Sequence, residues 1–351
     1  MLLKNAVNTI NLEITSMCNL HCPFCYNLSH RNGTDVPLEL IIPAIEYFKQ
    51  SCTEIILSGG EPMLYKDLKN LLNHLYLMGI PSIRMISNAT MVNNDILSLL
   101  SQYNVKLQIS FNYDRTIQWH NNAPLFRRQI KNIERLINAN VKEITLRSMI
   151  YNTNKNATND ILHVAMQHNI KQVYFTRVQP IGLALHNHAL KLTGLEQYTL
   201  YKMLKKKKIK YANRLDINVF EFHAGLCNVL IEPIKKMQIS LAFDGSVYPC
   251  WSLCGQHFSL GNYFLEDFDV ILTSNRLSTV QNSIYCAYEP CKKCAIRKRC
   301  IPPCPISAEH RCNDFDLLCG IRKMLDFSKT HVVLNKVIKK TINTTATQTA
   351  T

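Results

Sequence analysis

Three cysteines, Cys18, Cys22 and Cys25, stand in a C-x3-C-x2-C spacing within residues 15–27, TSMCNLHCPFCYN. Three thiolates on one short loop can each ligate one iron of a cubane, and a [4Fe–4S] cluster normally takes four cysteines. No fourth cysteine sits nearby, so one iron would be left for an exogenous ligand. That open iron is the chemical point of the spacing. With 14 cysteines in 351 residues, random placement gives roughly 0.02 such spacings. A second group, Cys291, Cys294, Cys300 and Cys304, reads C-x2-C-x5-C-x3-C, and chance supplies it roughly 0.0009 times. Cysteine is absent from 53 to 226, so the chain carries two separated thiol-rich regions.

The elements that must hold the first region alternate. Residues 8–15 alternate apolar and polar and predict a strand that delivers the cysteine loop. A helix over 37–50, with Asp35 as its cap, and a strand over 53–57 follow. Further helices are predicted over 66–78, 92–102, 125–139 and 159–168, the first of them stopped by Gly79. Strands are predicted over 82–86, 105–110, 143–149 and 172–176. Six strands alternating with helices are the pattern of a parallel α/β layout. In barrels of this type the site lies at the C-terminal ends of the strands.

An apolar content of 47% is ordinary for a soluble globular chain. No apolar run reaches the length of about eighteen residues that a membrane span needs. The start, MLLKNAVNTI, is too short and too polar for a secretory signal, which gives a cytoplasmic expectation. Many cysteines in that compartment argue for metal or redox sites rather than disulfides. The formal charge of +15 could favour an acidic partner, although a solvated surface is its simplest meaning. Its densest block, Lys205, Lys206, Lys207, Lys208 and Lys210, reads as an exposed helix end. Nucleic-acid modules interleave aromatics or show a known motif; neither is found, and nucleic acid is not an expected partner.

The cysteine loop, with Phe24 just before its third cysteine, resembles the signature of radical S-adenosylmethionine (SAM) enzymes. The resemblance covers roughly residues 8–182 and implies a partial (β/α)6 TIM-like barrel with a [4Fe–4S] cluster on Cys18, Cys22 and Cys25. In that family the amino and carboxylate groups of SAM chelate the open iron. One electron cleaves SAM to methionine and a 5′-deoxyadenosyl radical, which abstracts hydrogen from the substrate. The cofactor carries the hard chemistry and the protein supplies orientation. Gly59-Gly60-Glu61-Pro62 resembles the GGEP motif that contacts the SAM amino group, the glycine pair permitting close backbone approach. Ser87-Asn88 resembles the TNGT segment, with Ala89 in place of the usual glycine. Ser110 and Asn112 stand where the fourth strand contributes contacts to the SAM ribose, and Arg147 on the fifth strand could pair with the SAM carboxylate. Each also reads as a strand-end polar group bonding its own loop. Residues 177–185, RVQPIGLAL, resemble the P-x-G segment by which such barrels exit. His186 and His188 follow; a loop pair with no third ligand more often faces solvent than holds a metal.

Residues 244–250 form a G-x4-C unit ending in Cys250, with Cys227 upstream and Gly261-Asn262 after it. Together with the second cysteine group and Cys312 and Cys319, this resembles the SPASM extension, named for maturases of subtilosin, pyrroloquinoline quinone, anaerobic sulfatases and mycofactocin. The resemblance implies two auxiliary [4Fe–4S] clusters. Cys227, Cys250 and Cys304 would bind the first, and Cys291, Cys294, Cys300 and Cys319 the second. The gap from Cys227 to Gly245 is longer than usual. The fourth ligand of the first cluster is open between Cys254, Cys286 and substrate at a free iron, and Cys312 competes with Cys319. A zinc ribbon is the competing reading, but its second C-x2-C pair is missing. Cys52 reads as a buried structural thiol. Cys52, Cys254, Cys286 and Cys312 are also the spare thiols that could give a hydrogen atom to a substrate radical.

The expected organisation is a barrel over 1–189, a basic helical bridge over 190–212, the auxiliary-cluster domain over 213–328 and a partly disordered tail over 329–351. The resemblance implies modification of a ribosomally synthesised peptide or protein side chain, by crosslinking, oxidation or epimerisation. No winged-helix recognition domain precedes the first strand, so a separate leader-recognition protein or direct capture by the barrel mouth is expected. An electron donor such as flavodoxin or ferredoxin is expected as well. The alternatives are a small-molecule dehydrogenase acting on a sugar or aminocyclitol, and a non-catalytic metal-binding protein.

Overall fold

The computed structural model describes residues 4–27, 33–114, 122–179, 181–220, 237–254 and 258–286. Six parallel strands, β1 (Val7–Thr15), β2 (Glu54–Gly59), β3 (Ser82–Ser87), β4 (Lys106–Ser110), β5 (Glu143–Ile150) and β6 (Gln172–Arg177), lie side by side in chain order. Five helices link them: α1 (Leu38–Phe48), α2 (Leu68–Leu77), α3 (Asn94–Gln102), α4 (Asn122–Asn138) and α5 (Thr158–Gln167). These are the strands and helices that the periodicity predicts. One local expectation differs: Pro37, not Asp35, holds the cap position of α1, and no side chain caps it. The Asp35 carboxylate instead accepts from the Lys66 N–H at 3.3 Å, because Pro37 already fixes the extended entry to the helix.

Alternation along the strands sorts the side chains onto two faces. Ile10, Leu12, Ile14, Ile55, Leu57, Met85, Leu107, Ile109, Val173 and Phe175 are buried in one core with Ile41 and Phe48 of α1, Leu71 and Leu75 of α2, and Ile161 of α5. The opposite face is polar. In register across it stand Glu13 and Ser58, then Gln108 and Thr145, then Ser110 and Arg147, with Tyr174 beside Arg147. A half-barrel with a dry outer layer and a polar inner face results.

The sheet extends beyond six strands at both edges. α6 (Gly194–Lys210) crosses over to β7 (Asp216–Val219), which pairs parallel with β6. β8 (Met237–Leu241) pairs parallel with β1 on the opposite edge, and β9 (Ser246–Tyr248) and β10 (Gly261–Asn262) continue antiparallel. α6 starts in a capping box between Thr193 and Glu196, the arrangement that satisfies two end donors reciprocally. Its lysines are partly tied down, Lys207 to Thr158 at 3.0 Å and Lys208 to Asp216 at 3.5 Å. α7 (Phe268–Ile271) and α8 (Ser274–Cys286) complete the described chain. Phe268 stacks on Tyr47 at 5.1 Å and meets Phe48 edge-on at 4.9 Å, so the C-terminal region shares the core of α1. Among the described residues no helix is long and apolar enough to cross a membrane.

Candidate functional site

The cysteine loop leaves the C-terminal end of β1, the Gly-Gly-Glu-Pro turn leaves β2 and the Ser-Asn-Ala-Thr turn leaves β3; Ser110 ends β4 and Arg147 lies on β5. Parallel strands bring all five to one rim, as the strand-end rule requires.

Backbone contacts pin the cysteine loop. The Gly60 N–H donates to the Thr15 carbonyl at 2.7 Å, Glu61 N–H to the Met17 carbonyl at 2.7 Å, and Leu183 N–H to the Cys25 carbonyl at 2.9 Å. A Cβ on Gly60 would lie 2.0 Å from the Met17 carbonyl oxygen. One on Gly182, at φ +56°, would lie 2.5 Å from Tyr26 Cα. Only glycine lets the β2 turn and the exit segment close on the loop from two sides. Phe24 is buried against Tyr151, ring centroids 5.4 Å apart, with Ala184 and Leu190, and anchors the loop to the end of β5.

Cys18, Cys22 and Cys25 are half-buried and none is in a disulfide. Burial pushes all three up; Cys25 reaches about 11, and Cys22 is raised further by Cys25 and Cys18. Crowded, desolvated thiols hold their protons until a thiophilic metal displaces them. The Leu20 N–H points at Cys18 Sγ at 3.5 Å, the kind of contact that tunes cluster sulfurs. Among the described residues no three His, Cys, Asp or Glu side chains converge as a single metal ion requires. A cubane takes each thiolate on a different iron, so an all-thiol set distributed along a loop fits the cluster.

Glu61 is 1% exposed. Its Oε1 accepts from the Ser87 hydroxyl at 2.6 Å and the Met63 N–H at 3.2 Å, and its Oε2 accepts from the Asn88 N–H at 2.8 Å. Burial raises its pKa and these donors pull it back. The Asn88 side chain donates to Asn19 Oδ1 at 3.0 Å and accepts from the Thr90 N–H and hydroxyl at 2.9 and 2.6 Å. Asn19 in turn donates to the Thr90 hydroxyl at 2.8 Å. The turns after β2 and β3 are thereby locked to the cysteine loop. Ala89 sits at φ +54°, the left-handed region in which a glycine would be relaxed. Pro62 is buried and opens the turn Pro62–Leu64 that the Glu61 carboxylate caps.

The rim after β4 and β5 is less committed. Asn112 Oδ1 accepts from the Met149 N–H at 2.7 Å. Among the described residues, neither the Ser110 hydroxyl nor the Arg147 guanidinium makes a hydrogen bond or ion pair. Burial lowers the Arg147 pKa, with Arg84 adding to it against a favourable Tyr174. The Arg147 guanidinium carbon lies 5.9 Å from the centroid of the Trp251 ring.

Several contributors escape sequence reasoning. The Tyr26 hydroxyl donates to Glu13 Oε1 at 2.5 Å, and the Phe243 N–H to Glu13 Oε2 at 3.3 Å. Burial pushes the Glu13 carboxyl up to about 7. Trp251 meets Tyr26 edge-on at 6.4 Å. The one available signal is adjacency: Asn19, Tyr26 and Trp251 each neighbour a candidate ligand. Cys250 is half-buried after β9, and Cys254 is buried close to Ser240 and Glu13. Cys52 is buried in the core, as expected, and His186 and His188 are exposed. Cys227, Cys291, Cys294, Cys300, Cys304, Cys312 and Cys319, Pro180 of the exit segment and the tail lie outside the described residues, as does the side chain of Cys286.

Comparison with known proteins agrees with this geometry. Residues 12–165 match the radical SAM superfamily, and residues 233–295 match SPASM, an iron–sulfur cluster-binding domain. The chain is 22% identical to a "Probable GTP 3′,8-cyclase" of Sulfurisphaera tokodaii, over 70% of this chain and 81% of that one. It is 24% identical to the PqqA peptide cyclase of Bradyrhizobium diazoefficiens, over 82% and 78%. Its fold is similar to that of Streptococcus suis SuiB bound to precursor peptide SuiA, with a TM-score of 0.67 at 14% identity, over 85% of this chain and 72% of that one. A thiol loop on β1 of a parallel half-barrel and a cysteine-bearing hairpin on its edge thus coincide with two recognised domains: the chain is a radical SAM enzyme with a C-terminal SPASM iron–sulfur cluster-binding domain.

Proposed function

We propose that this enzyme modifies a ribosomally synthesised peptide or a protein side chain, by crosslinking, oxidation or epimerisation. One observation carries the radical chemistry: three thiols on one loop at the end of β1 are pinned by the turn after β2, which is itself bonded to the turn after β3. The choice of substrate is supported by the relatives. The similarity to a PqqA peptide cyclase reaches further along this chain than that to the GTP 3′,8-cyclase, 82% against 70%. A peptide also sits in the solved structure of SuiB.

When bound, the cluster and SAM supply a 5′-deoxyadenosyl radical. In this reading Cys18, Cys22 and Cys25 hold the cluster. The backbone of Gly59 and Gly60, with Glu61, Pro62 and Asn88, shapes the amino end of the SAM site, and Phe24 fixes the loop. Ser110 and Asn112 take the ribose, and the Arg147 fork takes the carboxylate. Cys227, Cys250 and Cys304, with Cys254 or Cys286, serve one auxiliary cluster; Cys291, Cys294, Cys300 and Cys319 serve the other. The proposal keeps the barrel over 1–189 and the auxiliary-cluster domain over 213–328. It also includes a cytoplasmic location, a flavodoxin- or ferredoxin-like electron donor, and capture of the peptide either by a separate leader-recognition protein or directly by the barrel mouth.

The GTP 3′,8-cyclase relative supports a second reading, a small-molecule substrate. The deciding experiment incubates anaerobically reconstituted enzyme with SAM, reductant and either GTP or peptides encoded beside its gene. Peptide-stimulated 5′-deoxyadenosine together with a peptide mass change is expected. Stimulation by GTP alone, or by neither, overturns the peptide reading.

A further inference from the structure

Trp251 comes from the C-terminal region but stands among residues of the barrel. It opens the turn Trp251–Leu253 directly after Cys250. Its ring has two barrel neighbours: Tyr26, edge-on at 6.4 Å and 65°, and Arg147, with the guanidinium carbon 5.9 Å from the ring centroid. Tyr26 is itself fixed by its hydroxyl on Glu13, whose other oxygen takes the Phe243 N–H. The indole is therefore braced on the cysteine-loop side.

Among the described residues the Arg147 guanidinium has no carboxylate or hydrogen-bond acceptor; Tyr174, its register neighbour on β6, favours its charge and Arg84 opposes it. A ring face attracts a guanidinium within about 6 Å. A guanidinium lying flat over a ring keeps its in-plane N–H fork free for a bidentate carboxylate.

We propose that Trp251 is a positioning residue: braced by Tyr26, it holds the Arg147 guanidinium with its N–H fork open to the SAM carboxylate. The C-terminal region thereby completes a binding site whose other members belong to the barrel. This rests on the reading that Arg147 takes that carboxylate.

The test measures equilibrium binding of SAM and of decarboxylated SAM to anaerobically reconstituted full-length protein, with iron per chain matched between variants. Arg147→Gln is expected to weaken SAM and spare decarboxylated SAM; if SAM binding is unchanged, the Arg147 reading falls and the proposal with it. Trp251→Leu is expected to weaken SAM about 5-fold without changing decarboxylated SAM, and Trp251→Phe to stay within about twofold of wild type. If Arg147→Gln weakens SAM and Trp251→Leu does not, the positioning role is overturned while Arg147 keeps its own. Equal weakening of both probes by Trp251→Leu also overturns it, because the effect would bypass the carboxylate. Should Trp251→Leu bind less iron, Trp251→Met, whose unbranched side chain adapts to the gap, takes its place with the same outcomes.

Discussion

The rim after β1, β2 and β3 and the rim after β4 and β5 are built from similar polar residues and are wired differently. On the first, Glu61, Ser87, Asn88, Thr90 and Asn19 satisfy one another across three turns. On the second, the Ser110 hydroxyl and the Arg147 guanidinium have no hydrogen-bond or ion-pair partner among the described residues, and the buried Gln108 amide nitrogen has no hydrogen bond either. A buried polar group without a partner costs about 1–3 kcal/mol. A fold tolerates that where something else arrives to bond the group. The contrast fits a cysteine loop preformed by the protein and a half-site completed by its ligand.

The sharpest way to break this comparison is Cys22→Ala. After anaerobic reconstitution the variant should make no 5′-deoxyadenosine above background by chromatography, and persistent cleavage would falsify the cluster assignment. Next comes Glu61→Ala, which strands the Ser87 hydroxyl and the Asn88 and Met63 N–H groups. A loss of about 3–5 kcal/mol in urea unfolding is expected, with Glu61→Gln losing less. Glu13→Gln tests the inner face of β1 just below the closed rim. Folding raises the Glu13 carboxyl from 4.5 to about 7, so the folded state binds that proton more tightly. The group's contribution is complete below pH 4.5 and declines as pH rises to about 7. Glu13→Gln has no such decline and should gain on wild type across that window, by up to about 3 kcal/mol. A stability gap that stays constant with pH would exclude this origin. Ala89→Gly relieves a left-handed alanine and should gain up to about 1 kcal/mol, read as a higher Tm; a marked drop would mean that packing of the methyl outweighs the backbone. Ser110→Ala should be the mildest for folding, within about 0.5 kcal/mol, while weakening SAM binding a few-fold. If it unfolds the protein as Glu61→Ala does, the second rim is not open.

Local signals made much of this legible. The six-strand alternation follows from side-chain period alone, and the C-x3-C-x2-C and Gly-Gly-Glu-Pro segments announce themselves by spacing. What a residue does across the sheet is another matter. Glu61 reads as a ligand-facing carboxylate in the sequence, yet its oxygens meet donors on the β3 turn, a pairing set by strand order. Alternation in MQISL is visible, but nothing local says that β8 joins β1. Asp35 reads as the cap of α1, yet Pro37 holds that position, because a proline entry and an aspartate cap compete within three residues. Trp251 meets Arg147 only after both edges of the sheet have formed.

The strand that carries the cysteine loop is interior, with β2 on one side and β8 on the other. Val7 pairs with Met237. During translation the three thiols therefore emerge far ahead of the strand that seals their support. At ribosomal speed the interval is on the order of 10–50 s. Throughout it, β1 presents a bare edge, the feature most prone to mispairing. Nascent fragments ending before residue 237 should therefore aggregate unless a chaperone covers that edge, as sedimentation after arrested translation would show.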